Sequence, residues 1–350
     1  MKYFLILIAI SVIACKNNID ENVETELYFP PLDGNWQTTN ASDLNWNTDN
    51  LQDLYNYLDE KDSKGFIILK DGKIVIEKYF NGHSATAKWK WYSAGKTLTS
   101  ATVGIAEQEG FLNLSDKTSD YLGLHWTSAP LDKENLITVK HQLTMTTGLD
   151  NTNFSGTNPS DLTYLADAGT RWAYHNGPYT LLQSVVENAV NTSYNNYFKT
   201  KIQDKIGMNG FWFVAGDNHI FRSTTRDMAR FGLLILRDGI WKDQTVIPND
   251  YYNEMLTSSQ NLNPSYGYLW WLNGKSSYML PQSQEIHNGS MIPNAPNDMV
   301  MAMGANDQRI YVIKSKNLVV VRCGNDAGTP QLALSGFDNV LWEKIMAVVE

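Results

Sequence analysis

The sequence predicts a mixed α/β (α+β) fold: an antiparallel sheet flanked by helices from both termini, with a mainly helical lobe inserted between its halves. Three observations predict it. GFIILKDGKIVIEKYF, residues 65–80, places two β-rich runs around Asp71-Gly72, the dipeptide that supplies the positive φ angles of a tight type I′ turn. DMVMAMGANDQRIYVI, KSKN and LVVVRCG, residues 298–324, read as antiparallel strands about a polar turn, and GFDNVLWEKIMAVV then closes the chain as an amphipathic helix. Between about Leu112 and Arg230 the segments read as helical or irregular, rich in Asn, Asp, Thr and Gly.

Taken in order, the first element is a leader. MKYFLILIAISVIAC has one lysine, an apolar run from Tyr3 to Ile13 and a small residue before Cys15. It is too short for a structural span and matches a secretory signal over residues 1–14. Its ending, VIAC, resembles the lipobox of bacterial lipoproteins, which implies cleavage and a lipid on Cys15. Residues 15–30 then read as a flexible tether, and 31–350 as the folded domain. The α/β lobe is expected over about 31–92 and 245–350, the helical lobe over about 93–244. In TLTSATVGIAEQEGFL, Leu98, Ala101, Ile105 and Leu112 recur at helical spacing and Gly110 is placed to end the helix. YTLLQSVVENAV and RDMARFGLLILRDG also read as helices, the second a core helix that follows Ser223-Thr224-Thr225 and carries Asp227 in its first turn.

Composition narrows the function. The 350 residues carry a formal charge of −9 without any Lys or Arg run, which argues against nucleic acid or an anionic membrane surface as partner. The expected location is the bacterial cell envelope, with the membrane met only through the lipid anchor. Cys15 and Cys323 are the two cysteines. With Cys15 acylated no internal disulfide can form, and Cys323, after the apolar run LVVV, reads as a buried structural thiol. No metal or nucleotide motif appears, so neither a metal nor an organic cofactor is expected.

KWYSAGKTLTS carries the sharpest chemistry. Ser93 and Lys96 stand three apart, on one face of a predicted helix. Ser93 can be read as an N-cap or as a nucleophile whose base is Lys96. A lysine serves as base once burial lowers its pKa. Tyr174-His175-Asn176 adds a tyrosine able to pass a proton and an amide able to orient lysine and substrate. Tyr194-Asn195-Asn196 and Tyr251-Tyr252-Asn253 share the Y-x-N spacing but read as surface residues.

Ser93-Ala94-Gly95-Lys96, HQLTMTTGLD, RWAYHNGPYTLL, STTRDMARFGLL and NPSYGYLWWLNG occur in this order. Together they resemble the class C β-lactamase-like serine hydrolases of the penicillin-recognising superfamily, from about Phe66 to Trp342. The chain looks most similar to their carboxylesterase-like and aminohexanoate-oligomer hydrolase relatives. The resemblance implies a β-lactamase/transpeptidase-like fold and an acyl-enzyme on Ser93. Lys96 and Tyr174 would share the proton transfers, with neither assignable as the resting base. Asn176 would orient, and His175 would stand in the cleft wall.

The family's third motif has two candidate places. His287-Asn288-Gly289 matches by letter but lies among prolines; Gly304 to Gln308 matches by position and is preferred. That choice makes the backbone N–H groups of Ser93 and Ala305 the oxyanion donors, with Asn306, Asp307 and Gln308 in the substrate cleft. The family's cationic or hydroxyl side chains are missing there, and Asp307 would repel a substrate carboxylate unless Arg309 compensates. The expected activity is therefore hydrolysis of neutral or amine-bearing esters and amides, with weak turnover of β-lactams. An α/β-hydrolase elbow at WYSAG lacks its first glycine. With no elbow to serve, His141 reads as a structural residue at a helix start. Trp270 and Trp271 read as core rather than cleft, and a non-catalytic envelope lipoprotein remains the rival reading.

Overall fold

A computed structural model describes residues 27–328 and 334–350. The signal peptide, Cys15 and the tether up to residue 26 lie outside the described residues. Among those described, no helix is long and apolar enough to cross a membrane, and no cluster of three or more His, Cys, Asp or Glu side chains could hold a metal ion.

Helix α1 (Leu51–Glu60) leads into the hairpin of β1 (Ser63–Lys70) and β2 (Lys73–Tyr79). Lys70 pairs with Lys73 across Asp71 and Gly72, at φ 50° and 81°, so the turn is the one the dipeptide predicts. A short strand, β3 (Lys88–Lys90), precedes α2 (Lys96–Gln108), and α3 (Asn176–Val190) packs beside α2. Next come β4 (Phe211–Ala215), β5 (Asn218–Thr224) and α4 (Thr225–Leu236). Strands β6 (Trp271–Leu272), β7 (Val300–Gly304), β8 (Gln308–Ile313) and β9 (Leu318–Gly324) follow, then helix α5 (Phe337–Val349).

The central sheet has six strands in the order β2-β1-β9-β8-β7-β6, every neighbour antiparallel. Ile67 of β1 opposes Val321 of β9, so both ends of the chain meet at the middle of one sheet. Successive strand residues face opposite ways, and the flanking helices follow that alternation. Tyr311 meets Trp342 of α5 edge-on at 5.3 Å, while its neighbour Ile310 lies where Gly232 of α4 closes on the sheet. Arg322 likewise stacks over Phe337, and Cys323 meets Thr225 at 3.3 Å. Helices α4 and α5 therefore cover opposite faces, and Cys323 is the buried thiol expected.

Four expectations need correction. Helix α4 packs on β1, β8 and β9, so the lobe boundary at 244 does not follow the packing. The stretch expected to be helical or irregular also contains the β4–β5 hairpin, which pairs with β3 in a three-stranded sheet. Residues 27–30 are not tether: Tyr28 N donates to Asp71 O at 3.0 Å, and Phe29 packs edge-on against Trp241. Tyr194, Tyr251 and Tyr252 are buried rather than superficial, the Tyr194 hydroxyl donating to Thr99 and the Tyr251 hydroxyl to the Ser100 carbonyl. An aromatic body with a satisfied hydroxyl is at home in a core.

Candidate active site

Ser93 lies in a 3-10 turn, Tyr92–Gly95, that runs straight into α2. Gly95 holds the cap position of α2 and no side chain caps it, so the N-cap reading of Ser93 fails. Its hydroxyl instead accepts a hydrogen bond from Lys96 Nζ at 3.1 Å. Trp91 anchors the turn from below: its N–H donates to Phe221 O at 2.8 Å and its indole to Ser223 Oγ at 2.9 Å. Tyr92 takes a left-handed φ of 49°, a conformation costly for a residue with a side chain and kept only where the surroundings impose it. On the far side, β7 ends against the same turn. A Cβ at Gly304 would stand 2.3 Å from Trp91 O and 2.9 Å from Ala94 N, so only glycine lets the strand approach the turn that carries Ser93.

Lys96 is buried, and burial lowers its pKa to about 7 by penalising the charged form. Its ammonium sits 4.1 Å from the ring centre of Tyr179 and 5.1 Å from that of Tyr174. Tyr174 is buried too, and burial pushes its hydroxyl well above the usual phenol range, opposed by a hydrogen bond with Ser93. The ring is clamped between Phe154 and Trp271, stacked with each at 6.0 and 5.9 Å. Ser93, Lys96, Tyr174, Asn176, Gly304 and Ala305 all line one cavity of about 800 Å³, its open mouth included. Asn176 opens α3; its Nδ2 donates to Ser155 Oγ at 3.3 Å, and its buried Oδ1 has no partner among the described residues. No hydrogen bond joins it to Lys96 among those described, so its free acceptor is available to a substrate N–H.

Other expected residues do not face this cavity. His175 sits between Tyr174 and Asn176 in extended backbone (φ −137°, ψ 114°), and the alternation of extended chain turns it away from them. Its Nε2 meets Asn153 O at 3.1 Å, and burial lowers its pKa to about 4. Asn306, Asp307 and Gln308 are likewise absent from the lining. Asp307 is buried and paired with Arg309 at 2.6 Å, and Gln308 spends its amide on the carbonyls of Ala305, Asn306 and Gly324. Asp307 therefore presents no charge to a substrate. His287 and Asn288 form a two-residue strand and, with Gly289, are absent from the cavity lining, and His141 caps the helix Val139–Leu143 reciprocally with Thr138.

Sequence reading missed much of the wall. The tryptophan pair divides its labour: Trp270 stacks on Phe231 in the core, while Trp271 lines the cavity. Tyr179 was within reach of reasoning, since it stands one helical turn after Asn176 on α3. Asn218, His219 and Ile220 arrive from the unforeseen hairpin, and no local signal marks them. His219 Nδ1 meets Gln183 Oε1 at 2.7 Å, and burial lowers its pKa.

A serine, a buried neutralisable lysine and a tyrosine at the edge of an antiparallel sheet form the constellation of a serine acyl-transfer site. Residues 64–341 match the Beta-lactamase family, and the chain belongs to this family of β-lactamase-like serine hydrolases. An uncharacterised protein of Alkalihalophilus pseudofirmus is 22% identical over 303 residues, 75% of this chain and 84% of the other. Among solved structures, a Bacillus anthracis protein with a provisional 6-aminohexanoate-dimer hydrolase assignment matches with TM-score 0.68 at 17% identity, over 92% of this chain and 88% of its own. A Bacteroides dorei protein provisionally assigned as a β-lactamase also gives 0.68, at 15% identity, over 87% and 99%. The octameric penicillin-binding protein homologue of Pyrococcus abyssi gives 0.60 at 17% identity, over 85% and 76%. These likenesses establish the fold.

Proposed function

We propose that the protein hydrolyses esters or amides of uncharged, apolar acyl groups through an acyl-enzyme on Ser93. The observation that carries this reading is the 3.1 Å bond between Lys96 Nζ and Ser93 Oγ, made by a lysine whose pKa burial lowers to about 7. Such a lysine is half neutral at physiological pH and can take the serine proton. Ser93 Oγ attacks the carbonyl carbon as its proton passes to the Lys96–Tyr174 pair. The carbonyl oxygen becomes an oxyanion, received by the N–H groups of Ser93 and Ala305. The pair then returns the proton to the leaving oxygen or nitrogen, and the bond to it breaks. Water repeats the sequence in reverse roles and frees the acid. Asn176 Oδ1 would accept the N–H of an amide substrate.

The lining supports the choice of substrate. Tyr92, Phe154, Tyr174 and Trp271 make the walls aromatic, and among the described residues Lys96 is the only lysine, arginine or carboxylate residue in the lining. A substrate carboxylate finds no cation set aside for it, so penicillins and cephalosporins should turn over poorly. The reason differs from the one Asp307 suggested: a recognising group is missing, rather than a repelling one present. We further propose that Cys15 carries a lipid and holds the enzyme at the cell envelope.

Incubation with a fluorophosphonate, followed by peptide mapping, should place the adduct on Ser93. Ser93→Ala should abolish labelling and lower p-nitrophenyl ester hydrolysis by at least about a thousandfold. Equal activity in Ser93→Ala, or efficient turnover of a cephalosporin beside a small ester, would defeat the reading. For the anchor, Cys15→Ser should release the protein from the membrane fraction; retention there would refute lipidation.

A further inference from the structure

The loop from Gly304 to Asp307, which joins β7 to β8, is held from inside by its carbonyls. Arg309 Nη1 donates to Gly304 O at 2.9 Å. Gln308 Nε2 donates to Ala305 O at 3.1 Å and to Asn306 O at 2.6 Å. Arg322 Nη1 donates to Asn306 O at 2.8 Å and to Asp307 O at 3.2 Å. Asn306 and Asp307 both sit at φ 57°, the left-handed region that Asn and Asp enter more readily than other non-glycine residues. In a trans peptide the carbonyl and the N–H point opposite ways. Pulling Gly304 O into the interior therefore turns the N–H of Ala305 outward, on the side where Ala305 lines the cavity with Ser93.

Arg309 is suited to this hold because its own position is fixed. Its Nε and Nη2 fork onto Asp338 at 2.6 and 3.0 Å, and Nη2 also reaches Asp307 at 2.6 Å. That leaves Nη1 aimed at Gly304 O, with Gln308 O at 3.2 Å. A planar guanidinium can satisfy such a fork and a carbonyl together; an ammonium cannot keep that geometry.

We propose that Arg309 is a positioning residue of the oxyanion hole, holding the Gly304–Ala305 peptide so that its N–H faces the carbonyl oxygen of a substrate bound at Ser93. This rests on the reading of Ser93 as nucleophile and Ala305 N–H as oxyanion donor. Arg309 touches no substrate; it acts through one peptide plane. The residues that replace the family's third motif thus serve the loop's shape rather than the substrate's charge.

The test compares an aryl ester with the same ester bearing sulfur in place of the carbonyl oxygen, since sulfur accepts hydrogen bonds weakly. The wild type should strongly prefer the oxygen ester. Arg309→Lys keeps the charge opposite Asp307 and Asp338 but releases Gly304 O. It should lower kcat on the oxygen ester about 10- to 100-fold, with KM little changed and the sulfur ester hardly affected. Tyr311→Phe removes the 2.5 Å bond from Tyr311 to Asp338, disturbing the same cluster without touching Gly304 O. It should lower the melting temperature and leave the oxygen-to-sulfur ratio alone. A folded Arg309→Lys protein that keeps the wild-type ratio overturns the proposal. Should that variant not fold, Arg309→Gln combined with Asp338→Asn is read the same way. A wild type that does not distinguish the two esters, or a Ser93→Ala variant as active as wild type, refutes the oxyanion or nucleophile reading itself and the Arg309 inference with it.

Discussion

Lys96 shows what burial does to a single side chain. In its neutral form it could serve as a base for Ser93; in its charged form it is a buried cation 4.1 and 5.1 Å from the centres of two tyrosine rings. Its folded pKa of about 7 lies below the ordinary lysine value of 10.5. Between those two values the unfolded chain binds a proton that the folded chain does not, so stability rises with pH across that window. Below about pH 7 both states are protonated and the whole cost of the buried charge is paid. Lys96→Met should therefore melt higher than wild type at pH 6, with a smaller gain at pH 9, while hydrolysis is lost. In the wild type, kcat/KM should rise with pH through an apparent pKa near 7. A flat profile from pH 5.5 to about 9, or a Met variant less stable at pH 6 than at pH 9 relative to wild type, would contradict this account. At this scale Ser93 and Lys96 were legible because their spacing puts both on one face, and Tyr174 and Asn176 because the ordered motifs around them resemble a known family. His175 and Trp271 were not, because each belongs to a pair of neighbours that face opposite ways, and only the fold decides which one meets the cleft.

Among elements, the decisive contact is between the end of β7 and the Tyr92–Gly95 turn. The turn hangs from β5 through Trp91, and β7 reaches it only because position 304 has no side chain. Gly304→Ala would put a methyl carbon against Trp91 O and Ala94 N, both backbone atoms that cannot swing aside. The expected cost is about 1–3 kcal/mol of stability, with a fall in kcat because Ala305 is pushed away from Ser93. Denaturant melts and ester kinetics on one preparation would check it. Unchanged kcat would mean that β7 does not set the oxyanion geometry. The β1–β2 hairpin was legible because a two-residue turn announces itself locally. The β3–β5–β4 sheet was not: Lys88 pairs with Thr224 across more than a hundred residues, and β3 and β6 are too short to carry a period.

Across the whole molecule, the sequence order of strands, helices and strands correctly anticipated that both termini build one sheet, because each terminal hairpin shows two β-rich runs about a short polar turn. The extent of the domain was harder to read, since a polar tract says nothing of where packing begins. Residues 28–31 are docked: Tyr28 N bonds Asp71 O, Phe29 meets Trp241 with ring centres 5.0 Å apart, and Pro31 O accepts from Arg230 Nη2 at 2.7 Å. This strap ties the β1–β2 turn to α4 on the sheet, and none of its residues lines the cavity. It should contribute to stability and not to chemistry. Phe29 is half-buried, so Phe29→Ala should cost about 1–3 kcal/mol, less than the about 3–5 kcal/mol typical of a fully buried aromatic side chain. Its kcat per labelled Ser93 should match wild type when activity is normalised to fluorophosphonate-reactive protein. A fall in kcat at undiminished stability would show instead that the strap acts on the cleft through the sheet.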